Sequence, residues 1–171
     1  MKYVIFQQTD GFKFALLFPE HVDHGRCVYG LKQVVQGATV VGAGFCSVTS
    51  SDGKVKVSTH GHSNSFKLYA NDQDLAVIKP MFETLVNYIL FETPSSNWEP
   101  CLFALDTNYQ YIVQGLHITH PGIEPIRGGQ LSVSSEAGKI VVRNSGQLGN
   151  LKASEDDNWD LNRLVAGSNR Y

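Results

Sequence analysis

Short runs of β-forming residues separated by glycine-containing turns constrain this chain more than any other feature. Tyr3 to Gln7 and Lys13 to Phe18 flank Asp10-Gly11, and glycine there tolerates the positive φ of a tight turn. Two later pairs of runs flank the segments Ser50 to Gly53 and Ser135 to Gly138 in the same way. The sequence therefore predicts antiparallel hairpins at three places along the chain.

Helices are predicted near both ends of the chain. Pro19 followed by an acidic residue suits a first helical turn, because proline needs no N–H partner there and the acid complements the helix dipole. This helix would end near Gly30 or Gly37. At the other end, Ser154 is predicted to cap a short helix that stops at Gly167.

The middle of the chain carries an apolar stripe at helical spacing. Asn71 is a suitable N-cap, and apolar residues recur at the helical period as far as Ile89. Pro80 lies inside the stripe and removes one backbone hydrogen bond, so the segment is either one kinked helix or two short helices. Beyond it, residues 102–105 and 109–113 are predicted to form another hairpin.

These elements together predict an α+β protein of short antiparallel strands and hairpins, with a helix closing each half. The segment 93–100 contains two prolines and two serines and is predicted to link a domain at 1–92 to a domain at 101–171. We expect no internal repeat, because the two halves, although both β-rich, do not align with one another.

Composition excludes several classes of protein. Apolar residues make up 42% and charged residues 18% of the chain, which is typical of a chain that buries a core. A net charge of −2 with scattered Lys and Arg predicts no binding to nucleic acid or to an anionic membrane. No apolar run is long enough to span a bilayer, and the N-terminus does not resemble a signal peptide. Three cysteines at unrelated spacings favour a reduced, cytoplasmic protein.

Two polar turns carry the candidate ligand-binding residues. Each combines backbone N–H groups with hydroxyl, amide or basic side chains, which can cradle an anion. The same residue types are the usual formers of hairpin loops, so a purely structural role remains open. The candidates are His60, His62, Ser63, Asn64, Arg143, Asn144 and Ser145.

Histidines are the other candidates for chemistry. His21 and His24 are three apart on a predicted helix, and His60 and His62 are two apart on a strand, so each pair would share one face. No further ligand is spaced to complete a zinc site, and we predict neither a metal nor a cofactor. The candidates for a catalytic general base are His117 and His120.

Several motifs mark the N-terminal half: LFPEHVDH at residues 17–24, VVGAGF at 40–45, FKL at 66–68 and DLAVI at 74–78. Together they resemble a small uncharacterised family of phage and prophage proteins. In that family an FPxHxxHA-like start precedes a VSAGF-like strand and a final helix with an acidic start. Here Gly25 follows the second histidine, and the loop before the AGF segment is longer.

The stretch from Leu102 to Gly167 carries a second set of motifs. They are the segment His117 to His120, GGxLxV at 128–133, GKIV at 138–141, NSG at 144–146 and a capped helix. This order resembles a segment near the ends of bacterial polymorphic-toxin proteins, in which the turn usually contains Ser-Gly-His-Tyr. Gln147-Leu148 stands in the place of the histidine and tyrosine, so the resemblance brings no catalytic residue. Both resemblances imply an origin in a mobile genetic element.

We predict from these observations a non-enzymatic phage or prophage accessory protein that sequesters a host factor or a small anionic, nucleotide-like ligand. It would act in the host cytoplasm as a homo-oligomer. One alternative is a toxin-related enzyme that acts on a nucleotide linkage with a histidine general base. Another alternative is a structural component of a virion.

Overall fold

The computed structural model describes residues 1–92 and 98–167, without the side chain of Trp98. Within these ranges the helices are α1 (His24–Val34), α2 (Asp72–Glu83), α3 (Tyr109–Thr119) and α4 (Asp157–Val165). The first six strands are β1 (Lys2–Gln7), β2 (Lys13–Phe18), β3 (Thr39–Ser51), β4 (Lys54–His60), β5 (His62–Ser63) and β6 (Leu68–Tyr69). The other six are β7 (Leu85–Glu92), β8 (Trp98–Phe103), β9 (Glu124–Glu136), β10 (Lys139–Ser145), β11 (Gln147–Leu148) and β12 (Leu151–Lys152).

Eight of these strands form one antiparallel sheet. Their order across it is β10-β9-β7-β8-β2-β1-β3-β4. The remaining strands form two short ladders, β5 with β6 and β11 with β12. Three of the four predicted hairpins are present, as β1–β2, β3–β4 and β9–β10. The predicted α+β class is therefore confirmed.

The chain is built from two copies of one structural unit, repeat 1 (residues 2–83) and repeat 2 (residues 85–165). Strands and helices occur in the same order in both copies. The register of β1 against β2 and β3 matches that of β7 against β8 and β9 at an offset of 85 positions, so Tyr3 corresponds to Tyr88. Both copies carry a bulge at the same position of their first strand. Our expectation that the halves do not align was wrong.

Alternating strand residues create a hydrophobic core on each face of the sheet. Val4 and Phe6 of β1 face α1 and α3, whereas Tyr3 and Ile5 face α2 and α4. All four side chains are buried. Successive side chains of a strand point to opposite faces, so a run of apolar residues needs cover on both sides. Layers of helices supply that cover.

The repeats are related by a pseudo-twofold axis. β2 pairs with β8 and joins the two halves of the sheet. On one face α1 packs on α3, where Gly30 meets Gly115. At the ends of the long hairpins, Ser50 Oγ lies 2.5 Å from Ser135 Oγ. In both contacts a residue meets its own equivalent in the other repeat, which is what a twofold axis produces.

The segment predicted as a hairpin around residues 106–108 is instead the start of α3. Asn108 caps the helix by accepting a hydrogen bond from the backbone N–H of Gln110 at 3.0 Å. Ile112 and Leu116 are one turn apart and buried. The β-forming residues 109–113 gave the wrong prediction, because burial of one helix face outweighs intrinsic strand preference.

The first helix begins later than predicted. α1 starts at His24 rather than near Pro19, because Asp23 caps it by accepting a hydrogen bond from a backbone N–H in the first turn. His21 therefore precedes the helix, and the expectation that it shares a helical face with His24 was wrong. The prediction that Ser154 caps the last helix was wrong, because Asp156 occupies the N-cap position of α4 and Ser154 accepts from its N–H at 3.4 Å in the preceding turn.

The predicted central helix ends early. Asn71 caps α2 as expected, and the helix passes through Pro80 before it stops at Glu83. The apolar residues 85–92, which fit the helical stripe, form strand β7. A short apolar run fits either a buried strand or one face of a helix, so periodicity alone does not distinguish a strand from a helix here.

The predicted boundary at residues 93–100 does not coincide with the division between repeats. Residues 93–97 lie outside the described ranges, and residues 98–100 open β8. The repeats divide at Thr84, between α2 and β7. Because β7 pairs with β8 and β9, the strand belongs to repeat 2 although it precedes the predicted linker.

Candidate functional site

A cleft of about 630 Å³ opens between the start of α1 and the end of α3, above β2 and β8. We call it the central cleft. Both repeats contribute to its walls. Its lining includes three prolines, one of which is buried in β8. They are Pro19, Pro100 and Pro121.

The floor of the central cleft is apolar and closed to water. Leu16, Phe18 and Phe91 line it and are each at most 2% exposed. Two thiols lie in the same floor. Burial raises the pKa of Cys27 to about 12 and the pKa of Cys101 well above its usual range. Both thiols are therefore protonated and inert at neutral pH.

A histidine and a glutamate bridge the repeats at the mouth of the cleft. His21 Nε2, from the loop after β2, lies 2.7 Å from Oε1 of Glu99 on β8. The imidazole is exposed, whereas the glutamate side chain is 23% exposed. This pairing orients the Glu99 carboxylate, and its second oxygen makes no hydrogen bond with a described residue.

Arg26 supplies the positive charge of the cleft. It lies in the first turn of α1, and its guanidinium makes neither an ion pair nor a hydrogen bond with any described residue. Its backbone N–H is held by the Asp23 carboxylate at 3.1 Å. A guanidinium without a partner can bind a carboxylate or a phosphate with two parallel hydrogen bonds.

Of the two predicted general-base candidates, the structure places one in the cleft. His120 follows α3 and lines the cleft, with its Nδ1 3.0 Å from Thr119 Oγ1. Its Nε2 has no hydrogen bond among the described residues. His117 instead lies 3.9 Å from Glu124 and does not line the cleft.

Comparison of the two repeats singles out the polar residues of the cleft. In the other half of the molecule, the space equivalent to the central cleft is filled by Phe14. This side chain is buried and stacks on Phe6 with ring centroids 5.1 Å apart. Four polar cleft residues stand at positions whose equivalents are aromatic or aliphatic. The pairs are Arg26 with Tyr111, Glu99 with Phe14, Thr119 with Val34 and His120 with Val35. The cleft therefore exists where the two copies have diverged.

The first predicted turn lies at the end of β4. His60 is exposed and stacks on Phe45, with ring centroids 5.8 Å apart. His62 donates to Asn64 Oδ1 at 2.9 Å. Ser63 points inward, and its buried hydroxyl has no hydrogen-bond partner among the described residues. This turn therefore presents two imidazoles to solvent, whereas its serine hydroxyl is buried.

The second predicted turn lies at the end of β10. Arg143 makes a two-pronged ion pair with Glu136, and this pair lowers the pKa of Glu136 to about 2. Asn144 donates to the Ser154 carbonyl at 2.6 Å and to the Tyr88 hydroxyl at 3.0 Å. Ser145 is exposed. Two of these three polar side chains are therefore engaged within the protein.

The two predicted turns are equivalent parts of the two repeats. His60 corresponds to Ser145 at the offset of 85 positions. Because β4 and β10 are the outermost strands of the sheet, the turns lie at opposite edges and not in one site. None of the seven residues lines the central cleft.

Each repeat also contains a buried tyrosine–aspartate pair. Tyr3 donates to Asp74 at 2.6 Å, and the equivalent Tyr88 donates to Asp157 at 2.7 Å. Burial raises the pKa of both tyrosines and of Asp74. Arg127 lies 2.8 Å from Asp157, whereas the position equivalent to Arg127 in repeat 1 is Gly42. Asp157 thus has an arginine in direct contact, whereas Gly42 brings no charge to the equivalent place beside Asp74.

Neither Arg26 nor Glu99 stands out in the sequence when each half is considered separately. Alignment of the halves at an offset of 85 positions would have shown both as polar exceptions at apolar positions. Within residues 1–92 and 98–167, no group of three His, Cys, Asp or Glu side chains could hold a metal ion. The same part of the chain contains no helix with the length and apolar character needed to cross a bilayer.

No family model, curated protein or solved structure matches this chain.

Proposed function

We propose that this protein is a binding protein whose central cleft captures a small anionic, nucleotide-like ligand. The observation that carries the proposal is the divergence of the two repeats at the cleft, where charged and polar residues replace the aromatic and aliphatic residues of the filled equivalent. A substitution that opens a cavity removes packing and lowers stability. Four such positions around one cleft favour a role in ligand binding over a role in packing.

The chemistry of the cleft supports an anionic ligand with an apolar or planar body. Its volume lies within the range of small-molecule sites, which are mostly apolar with a few placed polar groups. Arg26 offers an acidic group of the ligand a guanidinium that makes no ion pair or hydrogen bond with a described residue. Apolar walls for the body of the ligand are formed by the side chains of Pro19, Val22 and Pro121.

The same proposal includes a phage or prophage origin for the protein and a small molecule as its partner in the cell. The two resemblances described above support a phage or prophage accessory protein in the host cytoplasm. A cleft of this size suits a small molecule better than a protein segment, so sequestration of a small ligand is favoured over capture of a host factor.

Ligand binding is tested by thermal shift and by native mass spectrometry of protein taken from expressing cells. A panel of nucleoside monophosphates, sugar phosphates and aromatic carboxylates is added to the protein and to Arg26→Gln. At least one compound is expected to raise the melting temperature, and Arg26→Gln is expected to lose that shift. Arg163→Gln, on α4 and outside the cleft, serves as the control. If no compound shifts either protein and no ligand is retained, the proposal is rejected. Native mass spectrometry also tests the proposed homo-oligomer.

An enzyme is the second candidate function, because His120 lines the cleft with one ring nitrogen free of hydrogen bonds among the described residues. A general base needs such a nitrogen within reach of the substrate. Recovery of the ligand after denaturation separates the two functions. A binding protein returns the ligand intact, whereas an enzyme returns products, and His120→Asn would then abolish turnover.

A further inference from the structure

The guanidinium of Arg26 and the carboxylate of Glu99 line the central cleft from different repeats. Arg26 comes from repeat 1, together with Asp23, whose carboxylate accepts from the Arg26 backbone N–H, and Glu99 comes from repeat 2. Both are polar at positions that are aromatic in the filled equivalent. A ligand that bound only through its acidic group would gain nothing from Glu99, because a carboxylate beside an anion is repulsive. The presence of Glu99 therefore indicates that another part of the ligand carries hydrogen-bond donors.

Glu99 accepts hydrogen bonds and cannot donate them when ionised. One of its oxygens already accepts from His21 at 2.7 Å, and this contact fixes the position of the carboxylate. The other oxygen makes no hydrogen bond with a described residue. A fixed carboxylate with free acceptor capacity binds a group that carries adjacent N–H donors, and it disfavours a group that presents an acceptor at the same place.

Resting on the proposed function, we infer that the ligand of the central cleft carries a planar edge with two adjacent N–H donors, as guanine does. This edge binds Glu99, and the phosphate of the ligand binds Arg26. Adenine places a ring acceptor beside its amino group, so its edge meets the Glu99 carboxylate unfavourably. The cleft therefore selects guanine nucleotides over adenine nucleotides.

The inference is tested by calorimetric titration with guanosine monophosphate, adenosine monophosphate and ribose phosphate. Guanosine monophosphate is expected to bind about tenfold more tightly than adenosine monophosphate, because a two-pronged edge contact discriminates by a factor of this order. Glu99→Gln is expected to remove this preference, since an amide both donates and accepts. Its affinity for adenosine monophosphate should be unchanged or higher. Glu83→Gln, on the surface of α2, is the matched control.

Several results would overturn the inference and leave the proposed function standing. One is equal binding of the two nucleotides, and another is an equal loss of both in Glu99→Gln. Binding of ribose phosphate as tightly as guanosine monophosphate would also reject it, because the ring edge would then contribute nothing. If guanosine monophosphate fails to bind while another anion binds with dependence on Arg26, the inference is again rejected and the proposed function remains. If no anion binds, both the inference and the proposed function are rejected.

Discussion

Gly30 and Gly115 are in direct backbone contact where α1 packs on α3. A Cβ atom on Gly30 would lie 1.8 Å from the carbonyl oxygen of Gly115. The two glycines are equivalent residues of the two repeats, and their contact lies on the pseudo-twofold axis. Since Arg26 and Thr119, which line the cleft, flank this crossing, the distance between the helices also sets the width of the central cleft.

Gly30→Ala is expected to lower the free energy of unfolding by about 3 kcal/mol, because the new methyl group can be accommodated only if the helices move apart. The obstacle is backbone and cannot rotate away. Urea denaturation measures the change. Gln33→Ala, on the exposed side of α1, should leave stability unchanged or raise it slightly. Equal stability of the two variants would contradict the contact.

Asp157→Asn is expected to destabilise the protein by about 2 kcal/mol, because Arg127 and Tyr88 lose a charged acceptor.

Asp74→Asn is expected to raise stability at neutral pH. Burial raises the pKa of Asp74, so the contribution of this group to stability is full below its unfolded pKa and is lost as the pH rises through the folded pKa. An asparagine at this position cannot ionise, and it still accepts from Tyr3.

Urea denaturation at about pH 5 and about pH 8 tests both aspartates. The advantage of Asp74→Asn over the parent protein should grow between these two values. An advantage that shrinks with rising pH would show that Asp74 is stabilised in its charged form. The two variants serve as controls for one another, since they remove the same group from equivalent places in the two repeats.

The duplication was present in the sequence as a constant spacing of glycines. Gly37 and Gly122 follow α1 and α3 at positive φ, and Gly61 and Gly146 follow β4 and β10 in the same way. Each pair is 85 positions apart, because a turn of the same geometry recurs in each repeat. The strands between them share pattern more than identity, so inspection of local motifs missed the repeat. Hairpins were predictable because their turns are local.

The helices and the cleft depended on information that is not local. The segment 109–113 is helical only because the rest of the fold buries one face of it, and residues 85–92 form a strand because β8 and β9 offer partners. Glu99 is unremarkable in its own neighbourhood. It becomes informative only beside Phe14, and that comparison requires the repeat.

The turn at the end of β10 offers a direct test of the anion site that the sequence predicts there. Glu136→Gln is expected to increase the affinity of this turn for inorganic phosphate, because it releases the guanidinium of Arg143 from its ion pair. Stability should change little, since the pair is exposed to solvent. Amide NMR shifts of Asn144, Ser145 and Gly146 during a phosphate titration report the binding. Arg143→Gln in the same background should abolish it. Unchanged shifts in Glu136→Gln would reject an anion site at this turn.

Glu99→Phe is expected to close the central cleft. The equivalent Phe14 stacks on Phe6, and Phe91 stands at the position equivalent to Phe6, so a phenylalanine at 99 has a ring in place to stack on. An aromatic pair of this kind stabilises by about 1 kcal/mol, and urea denaturation should show a gain of that order. The same variant should lose the thermal shift produced by any ligand of the cleft, because its ring occupies the space and the carboxylate is gone. A gain in stability together with retained binding would place the ligand outside the cleft. A loss of stability would show that His21 and Glu99 support the fold itself, and that the repeats diverged here for a structural reason.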